Sequence, residues 1–559
     1  MKNINIKLFI SSCFFLFLLV GCDLTSLNEN PNEPTSDVDY NLNDAQLAAT
    51  LRPGIPMEGD DEQRIKSLML DYYTQMLIDG NVETVWDTEF YLMNEDWNQR
   101  MYRRVQTNVS ALNRIISSLS ERGDLFSNSI AVAKIWRVFN QASGIDYFGP
   151  IPFGSYKEIQ DNPPYISVQE AYNEFFRELE EAVALLDQNG TNSIFIDSAS
   201  DIIFKNDTQK WRRFANSLRL RFAMRLTEVD AAKSKEEATK AIAAGVMESA
   251  EDNAYLPPKA NGDWGQNYNY TMFQVNWSTA LNMSKSVEKL LTGIGGINFP
   301  TNVVNQRAGL NGAPTPLSSV HPEKVDPRGP IMYEPGFRSG DWKGMPLGVP
   351  KSQQKNGEWD GPDYAELGIL IRNGATYFSR PYDVMLYEEV CFLKSEAAWR
   401  GYGGDAKAEY EKGVRASFAT WGVASTVDEY LTSTAKNLAG TSANFDDQAG
   451  DGNTIPEKII TQKYLALFPD MAMEAWNDRR RLNLPRMDVG LERNALFYNA
   501  SNLNPKDPSN FIKRVQYPQN EAQNNKTEYD KGVQLLGGPD NVTTPIWWDK
   551  NANYCTSAD

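Results

Sequence analysis

Residues 383–422, DVMLYEEVCFLKSEAAWRGYGGDAKAEYEKGVRASFATWG, constrain the fold more than any other stretch. Leu386, Val390, Leu393 and Ala397 recur in steps of three and four, which places them on one helical face. Gly401, Gly403 and Gly404 break the pattern where a helix should end. Asp405 is suited to cap a second helix, whose apolar stripe is Tyr410, Val414, Phe418 and Trp421. Neither stripe can be hidden by one helix alone. The pair must pack on itself and on neighbours, which is the logic of helical-repeat architectures.

Other segments carry the same period. Helices are predicted over 65–78, 101–119, 130–145, 168–186, 211–225, 230–244 and 284–291. Ser167 and Glu170 form a capping-box pattern. The segment WRRFANSLRLRFAMR (211–225) holds five arginines, at 212, 213, 219, 221 and 225. The chain has 73 acids against 55 Lys and Arg and a formal charge of −18, so these arginines are expected to be consumed in ion pairs. The same balance argues against nucleic acid as a partner.

The N-terminus reads as an address. Lys2 and Lys7 precede an apolar run over 8–20, too short for a bilayer core that needs ~20 residues, and typical of a signal peptide. Leu19-Val20-Gly21-Cys22 resembles the lipobox of bacterial lipoproteins, which makes Cys22 the acylated first residue. Residues 22–39 are polar with two prolines and read as a lipidated tether. Of the other cysteines, Cys391 falls in an apolar helix and Cys555 is expected to be exposed. No disulfide framework or metal spacing is present.

Aromatics outside the helical stripes are the binding candidates. Residues 79–98 place Trp86, Phe90, Tyr91 and Trp97 among acids and amides. Residues 250–380 are dense in glycine and proline and carry Trp264, Tyr268, Trp277, Trp342 and Trp359. So long a stretch with little periodicity reads as a loop-rich insertion that carries function. Flat aromatic rings offer platforms to the C–H face of a sugar, and neighbouring amides and acids bind its hydroxyls. Exposed aromatics also serve protein interfaces, so this pattern by itself leaves sugar and partner open.

Several blocks together resemble the SusD/RagB-like lipoproteins of Bacteroidetes. They include Tyr387-Glu388-Glu389-Val390, Lys394-Ser395-Glu396-Ala397-Ala398, Asp146-Tyr147-Phe148-Gly149-Pro150-Ile151-Pro152, Trp211 to Arg225, Glu474-Ala475-Trp476-Asn477-Asp478-Arg479-Arg480, Arg514-Val515-Gln516-Tyr517-Pro518 and Thr544-Pro545-Ile546-Trp547-Trp548-Asp549. Phe153 stands where the family usually has Tyr. The resemblance implies a mainly α fold: a tetratricopeptide-like helical-repeat scaffold over 40–559, with 250–380 as the ligand-binding insertion. It implies a surface lipoprotein of the outer membrane that captures a nutrient, most often an oligosaccharide. Delivery would be to a SusC-type TonB-dependent transporter. The early interhelical loop and the insertion would hold the ligand, which keeps Trp86, Tyr91, Trp97, Trp264, Tyr268, Trp277, Trp342 and Trp359 as candidates. Peptide is the alternative ligand.

No catalytic motif is present: no nucleophile elbow, phosphate loop or dinucleotide fingerprint, and one histidine, His321. No catalytic residue, cofactor or metal is therefore expected. Residues 447–452 are similar in composition to a calcium loop, but Ala449 and Lys458 occupy ligand positions, which excludes an EF-hand and leaves an irregular calcium site open. A surface adhesin or scaffold, and a glycoside hydrolase built on two carboxylates, are the alternative function classes.

Overall fold

The computed structural model describes residues 40–56, 61–79, 87–123, 126–160, 162–189, 194, 196, 198–257, 281–306, 313–349, 361–368, 380–497 and 502–557. Side chains are described from residue 45. The chain is mainly α-helical. The principal helices are α1 (Tyr40–Leu51), α2 (Glu62–Leu70, π-helical, continued by Asp71–Thr74), α3 (Glu95–Ser120), α4 (Ser127–Phe148), α5 (Val168–Asn189), α6 (Thr208–Arg225), α7 (Ala231–Ala244) and α8 (Lys285–Leu291). They continue as α9 (Tyr387–Trp399), α10 (Ala406–Thr420), α11 (Ile455–Leu467), α12 (Ala472–Leu482), α13 (Gln519–Asn524) and α14 (Lys526–Leu536).

Consecutive helices pack as pairs, α3 on α4, α4 on α5, α6 on α7 and α9 on α10. In the α9–α10 hairpin both expected stripes are buried, and Asp405 caps α10 by accepting from Ala408 N. Gly401, Gly403 and Gly404 all take positive φ, the conformation that ends α9 and reverses the chain. Gly413 lets the two helices close: a Cβ there would meet the Phe392 ring at 2.7 Å. The Ser167–Glu170 capping box forms reciprocally at the head of α5.

Buried ion pairs fasten the helices to one another. All five arginines of α6 find carboxylates, as the acidic composition leads one to expect: Arg212 with Asp187, Arg213 with Asp252, Arg219 with Glu237, Arg221 with Glu389 and Arg225 with Glu474. Arg221–Glu389 at 2.7 Å joins α6 to α9, and Arg481–Glu396 at 2.6 Å joins α12 to α9. Asp478 sits between Lys463 and Arg481. Burial alone would raise its pKa, but those two cations hold it down to about 2. Asp146, at the end of α4, accepts from Tyr172 OH at 2.6 Å and Trp548 Nε1 at 3.0 Å on Oδ1, and from Asn477 Nδ2 on Oδ2.

A small antiparallel sheet ties the middle of the chain to this scaffold. Its strand order is Leu77–Asp79, Leu281–Met283, Glu366–Leu367, Tyr333–Glu334. Leu77 pairs with Met283 and Asp79 with Leu281. A second pair joins Ala254–Leu256 to Tyr382–Met385, just before α9. The core runs without interruption from Leu47 to Trp548, with a satellite cluster under α10 and α11. Two expectations change. The helix predicted over 65–78 ends early and gives way to the first strand. Cys555 is buried, not exposed, because its segment packs into the satellite cluster. Among the described residues, no helix is long and apolar enough to cross a membrane.

Candidate functional site

Asn94 begins the site. Its side chain accepts from Trp97 N and starts α3, with Glu95 and Asp96 in the first turn where the helix dipole favours acids. The helix therefore begins six residues before the predicted Met101, and carries its first turns out toward the C-terminal segment. That segment is fixed on the turn at the end of α4. Val515 N donates to Tyr147 O, Arg514 Nε to Phe148 O and Tyr517 OH to Pro150 O. Gly149 supplies the positive φ (88°) the turn requires.

Between α3, α13 and α14 an open cleft results, divided by Pro518 into two lobes. The larger, about 450 Å³, is lined by Glu95, Asn98, Gln516, Gln519, Gln523 and Tyr529 among others. The smaller, about 300 Å³, presents Gln99, Tyr102, Gln106, Asn162, Asn520 and Asn525. Neutral amides thus dominate the walls. Two of their atoms are buried without a hydrogen-bond partner among the described residues: Asn98 Oδ1, an acceptor, and Gln106 Nε2, a donor. A buried polar atom left unpaired costs ~1–3 kcal/mol, and since neither atom has surface open to the cleft, the exposed amides Gln519, Asn520 and Gln523 are the ones a ligand would meet.

The rest of the cleft is pre-set. Glu95 accepts from Gln519 N at 2.7 Å, Gln516 donates to Asp540 O, and Tyr165 OH donates to Glu521. Desolvation raises the Glu95 pKa. Desolvation raises the Tyr102 and Tyr165 phenols further, so both stay neutral donors and acceptors, linked OH to OH at 2.8 Å.

The aromatic candidates fare differently. Trp342 is only 1% exposed; its indole N–H donates to Tyr333 O, and Phe299 meets it edge-on at 5.3 Å. Tyr91, 1% exposed, packs against Tyr73 and Phe497. Trp97, 6% exposed, belongs to the first turn of α3 and to the core. These three rings hold the scaffold together and offer no open face, because the segments that carry them fold inward. Trp86, Trp264, Tyr268, Trp277 and Trp359 lie outside the described residues, as does Cys22. The amide cleft was not singled out from sequence. Its signal was the run QYPQNEAQNN at 516–525, with six amides in ten residues.

Lys458 answers the calcium question locally. Its ammonium donates to Ser442 O at 2.9 Å and Ser442 Oγ at 2.7 Å, and also reaches Asn453 Oδ1. An ammonium thus stands where the loop oxygens converge. Burial pushes its pKa down to about 8. Among the described residues no cluster of His, Cys, Asp or Glu could hold a metal.

The comparisons with known proteins agree with this architecture. The family model described as "SusD-like: Susd and RagB outer membrane lipoprotein" matches residues 27–296 and 325–549. A SusD homologue from Parabacteroides distasonis is 52% identical, with TM-score 0.89, covering 93% of this chain and 100% of its own. A chitin-binding SusD homologue from Flavobacterium johnsoniae is 26% identical, with TM-score 0.72, covering 92% and 99%. A homologue from Bacteroides vulgatus, at 24% identity and TM-score 0.71, shares the fold. No curated protein matches. The chain belongs to the SusD-like family, a class of outer-membrane lipoproteins.

Proposed function

We propose that this protein is a lipid-anchored surface receptor that captures an oligosaccharide in the amide cleft and passes it to a SusC-type TonB-dependent transporter. In this reading residues 1–21 are removed, Cys22 is acylated, and 22–39 tether a single helical domain to the outer membrane. The observation that carries the ligand class is the open cleft itself, whose exposed amides Gln519, Asn520 and Gln523 can donate to and accept from sugar hydroxyls. Family membership and a chitin-binding relative support it. The ring platforms assigned to Trp86, Trp264, Tyr268, Trp277 and Trp359 belong to the same proposal. Binding proceeds without chemistry on the ligand.

Native-gel retardation of the lipid-free chain against a polysaccharide panel tests it. One polymer should retard the protein and remain uncut. Asn520→Ala and Gln523→Ala should each weaken binding about tenfold, the value of one to two hydrogen bonds. Binding untouched by both would remove the cleft. A response to peptides alone would change the ligand class, and loss of polymer would make the protein a hydrolase. Co-purification of a β-barrel transporter tests the delivery step.

A further inference from the structure

On the flank of α3 next to the amide cleft runs a second groove, of about 680 Å³, between α3 and α1. Its chemistry is opposite in kind. Arg100, Arg103, Arg104 and Arg114 face it from α3, spaced so that they share one side of the helix over about 21 Å. One lining carboxylate, Asp61, opposes them. It approaches Arg100 at 3.6 Å and Arg104 only at 4.0 Å. Arg100 also pairs with Asp96. Among the described residues, Arg103 and Arg114 are exposed and have no ion-pair partner.

Arg104 is the informative member. Its side chain is 7% exposed, yet Nη2 has no hydrogen-bond partner, and Nη1 reaches nothing better than Met101 Sδ at 3.9 Å. A buried guanidinium normally finds a carboxylate or carbonyl for its fork. Here Nη2 is buried behind the groove wall, and the same side chain also borders the interior cavity lined by Tyr382, Asp383 and Asp470. Desolvation lowers the Arg104 pKa only to about 10, so the charge persists at neutral pH. Among the described residues the groove sets four arginines against one lining carboxylate, a local reversal of the chain's net charge of −18.

Among the described residues the groove has no aromatic wall; Thr50, Pro53, Asn108 and Ala111 are among those that complete it. It offers the planar donors that take oxoanions two-pronged. It borders the cleft, since Arg103 and Thr107 line both.

We infer that the arginine groove binds the carboxylate or sulfate groups of an acidic glycan whose neutral portion lies in the amide cleft. This inference rests on the glycan-capture reading for the ligand class. Arg103 and Arg114, the exposed pair, would meet the anion, with the Arg104 charge behind them adding to the local field. Charge would steer acidic chains to this flank against the repulsion of the rest of the surface.

Calorimetric titration of the lipid-free full chain with oligogalacturonate, chondroitin sulfate oligosaccharide and chitohexaose, each at low and moderate salt, tests the inference. At least one acidic oligosaccharide should bind tighter than the neutral one and weaken as salt rises. The double variant Arg103→Gln/Arg114→Gln should lose at least tenfold in that affinity, and Arg114→Gln, which lies outside the amide cleft, should weaken the acidic probe while keeping the affinity for any neutral binder. The two positions are exposed, so a matching thermal melt separates lost binding from lost fold. Which acidic probe responds names the oxoanion. Acidic probes no tighter than the neutral one, or a double variant that binds them unchanged, would overturn the inference while leaving neutral capture intact. Silence of all three probes, and of the wider polysaccharide panel, would remove the glycan reading as well. Binding confined to phosphatidylcholine–phosphatidylglycerol vesicles, and lost in the double variant, would reassign the groove to lipid headgroups.

Discussion

Two helices of this protein are rich in arginine, and they treat it in opposite ways. In α6 every arginine meets a carboxylate, and Arg221 and Arg225 do so in full burial. In α3 only Arg100 and Arg104 approach Asp61, Arg103 and Arg114 have no ion-pair partner among the described residues, and Arg104 Nη2 is buried without a hydrogen bond. Arginine count does not separate structure from function; the local deficit of acids does. The paired set fixes helices to each other, whereas Arg103 and Arg114 of α3 stand exposed with no ion-pair partner among the described residues.

The difference should show first in stability. Arg221→Met strands Glu389 in the core and should cost about 3–5 kcal/mol in urea unfolding. Arg104→Met removes a cation that is buried but scarcely paired, and should be neutral or stabilise by ~1 kcal/mol. Equal losses for the two would erase the distinction. Acid sharpens it next. Asp478 has a folded pKa of about 2, below its unfolded value, so its contribution is present above pH ~4 and lost as pH falls toward 2. That contribution is about 2 kcal/mol, and Asp478→Asn should flatten the acid limb of a stability–pH curve by that amount. The groove should be indifferent to the same acid range, since guanidiniums do not titrate there. Smallest of all, Arg103→Gln and Arg114→Gln should each shift stability by less than ~0.5 kcal/mol, read in thermal melts. A larger fall would mean that these arginines serve the fold.

The helical scaffold was readable because its signal is periodic. Leu386, Val390, Leu393 and Ala397 state a buried face directly, and the glycines after Arg400 state its end. The acid excess likewise foretold the pairing of α6. The site was harder. Trp342 stands among Gly340, Asp341, Lys343 and Gly344, a polar setting that hides a ring packed on Phe299. Trp97 was assigned to a loop, although Asn94-Glu95-Asp96 is a helix start that would have placed it in α3. The amide cleft joins α3 to residues some 420 positions later, as in the Glu95–Gln519 contact at a separation of 424. No local pattern announces such a meeting. The arginines of α3 are visible in sequence, but their shortage of partners is a property of three dimensions.

Asp146 sets a condition on assembly. Tyr172, one of its donors, is 26 residues away, but Trp548 is 402 and Asn477 is 331 residues away. Contacts of such sequence distance close late. Until they close, a carboxylate in the middle of the scaffold lacks the donors that make its burial tolerable. A chain cut short before Trp548 would leave Asp146 Oδ1 to Tyr172 alone and carry part of that cost at its centre. Arrival of the last stretch of sequence thus completes the solvation of a charge laid down early in the chain.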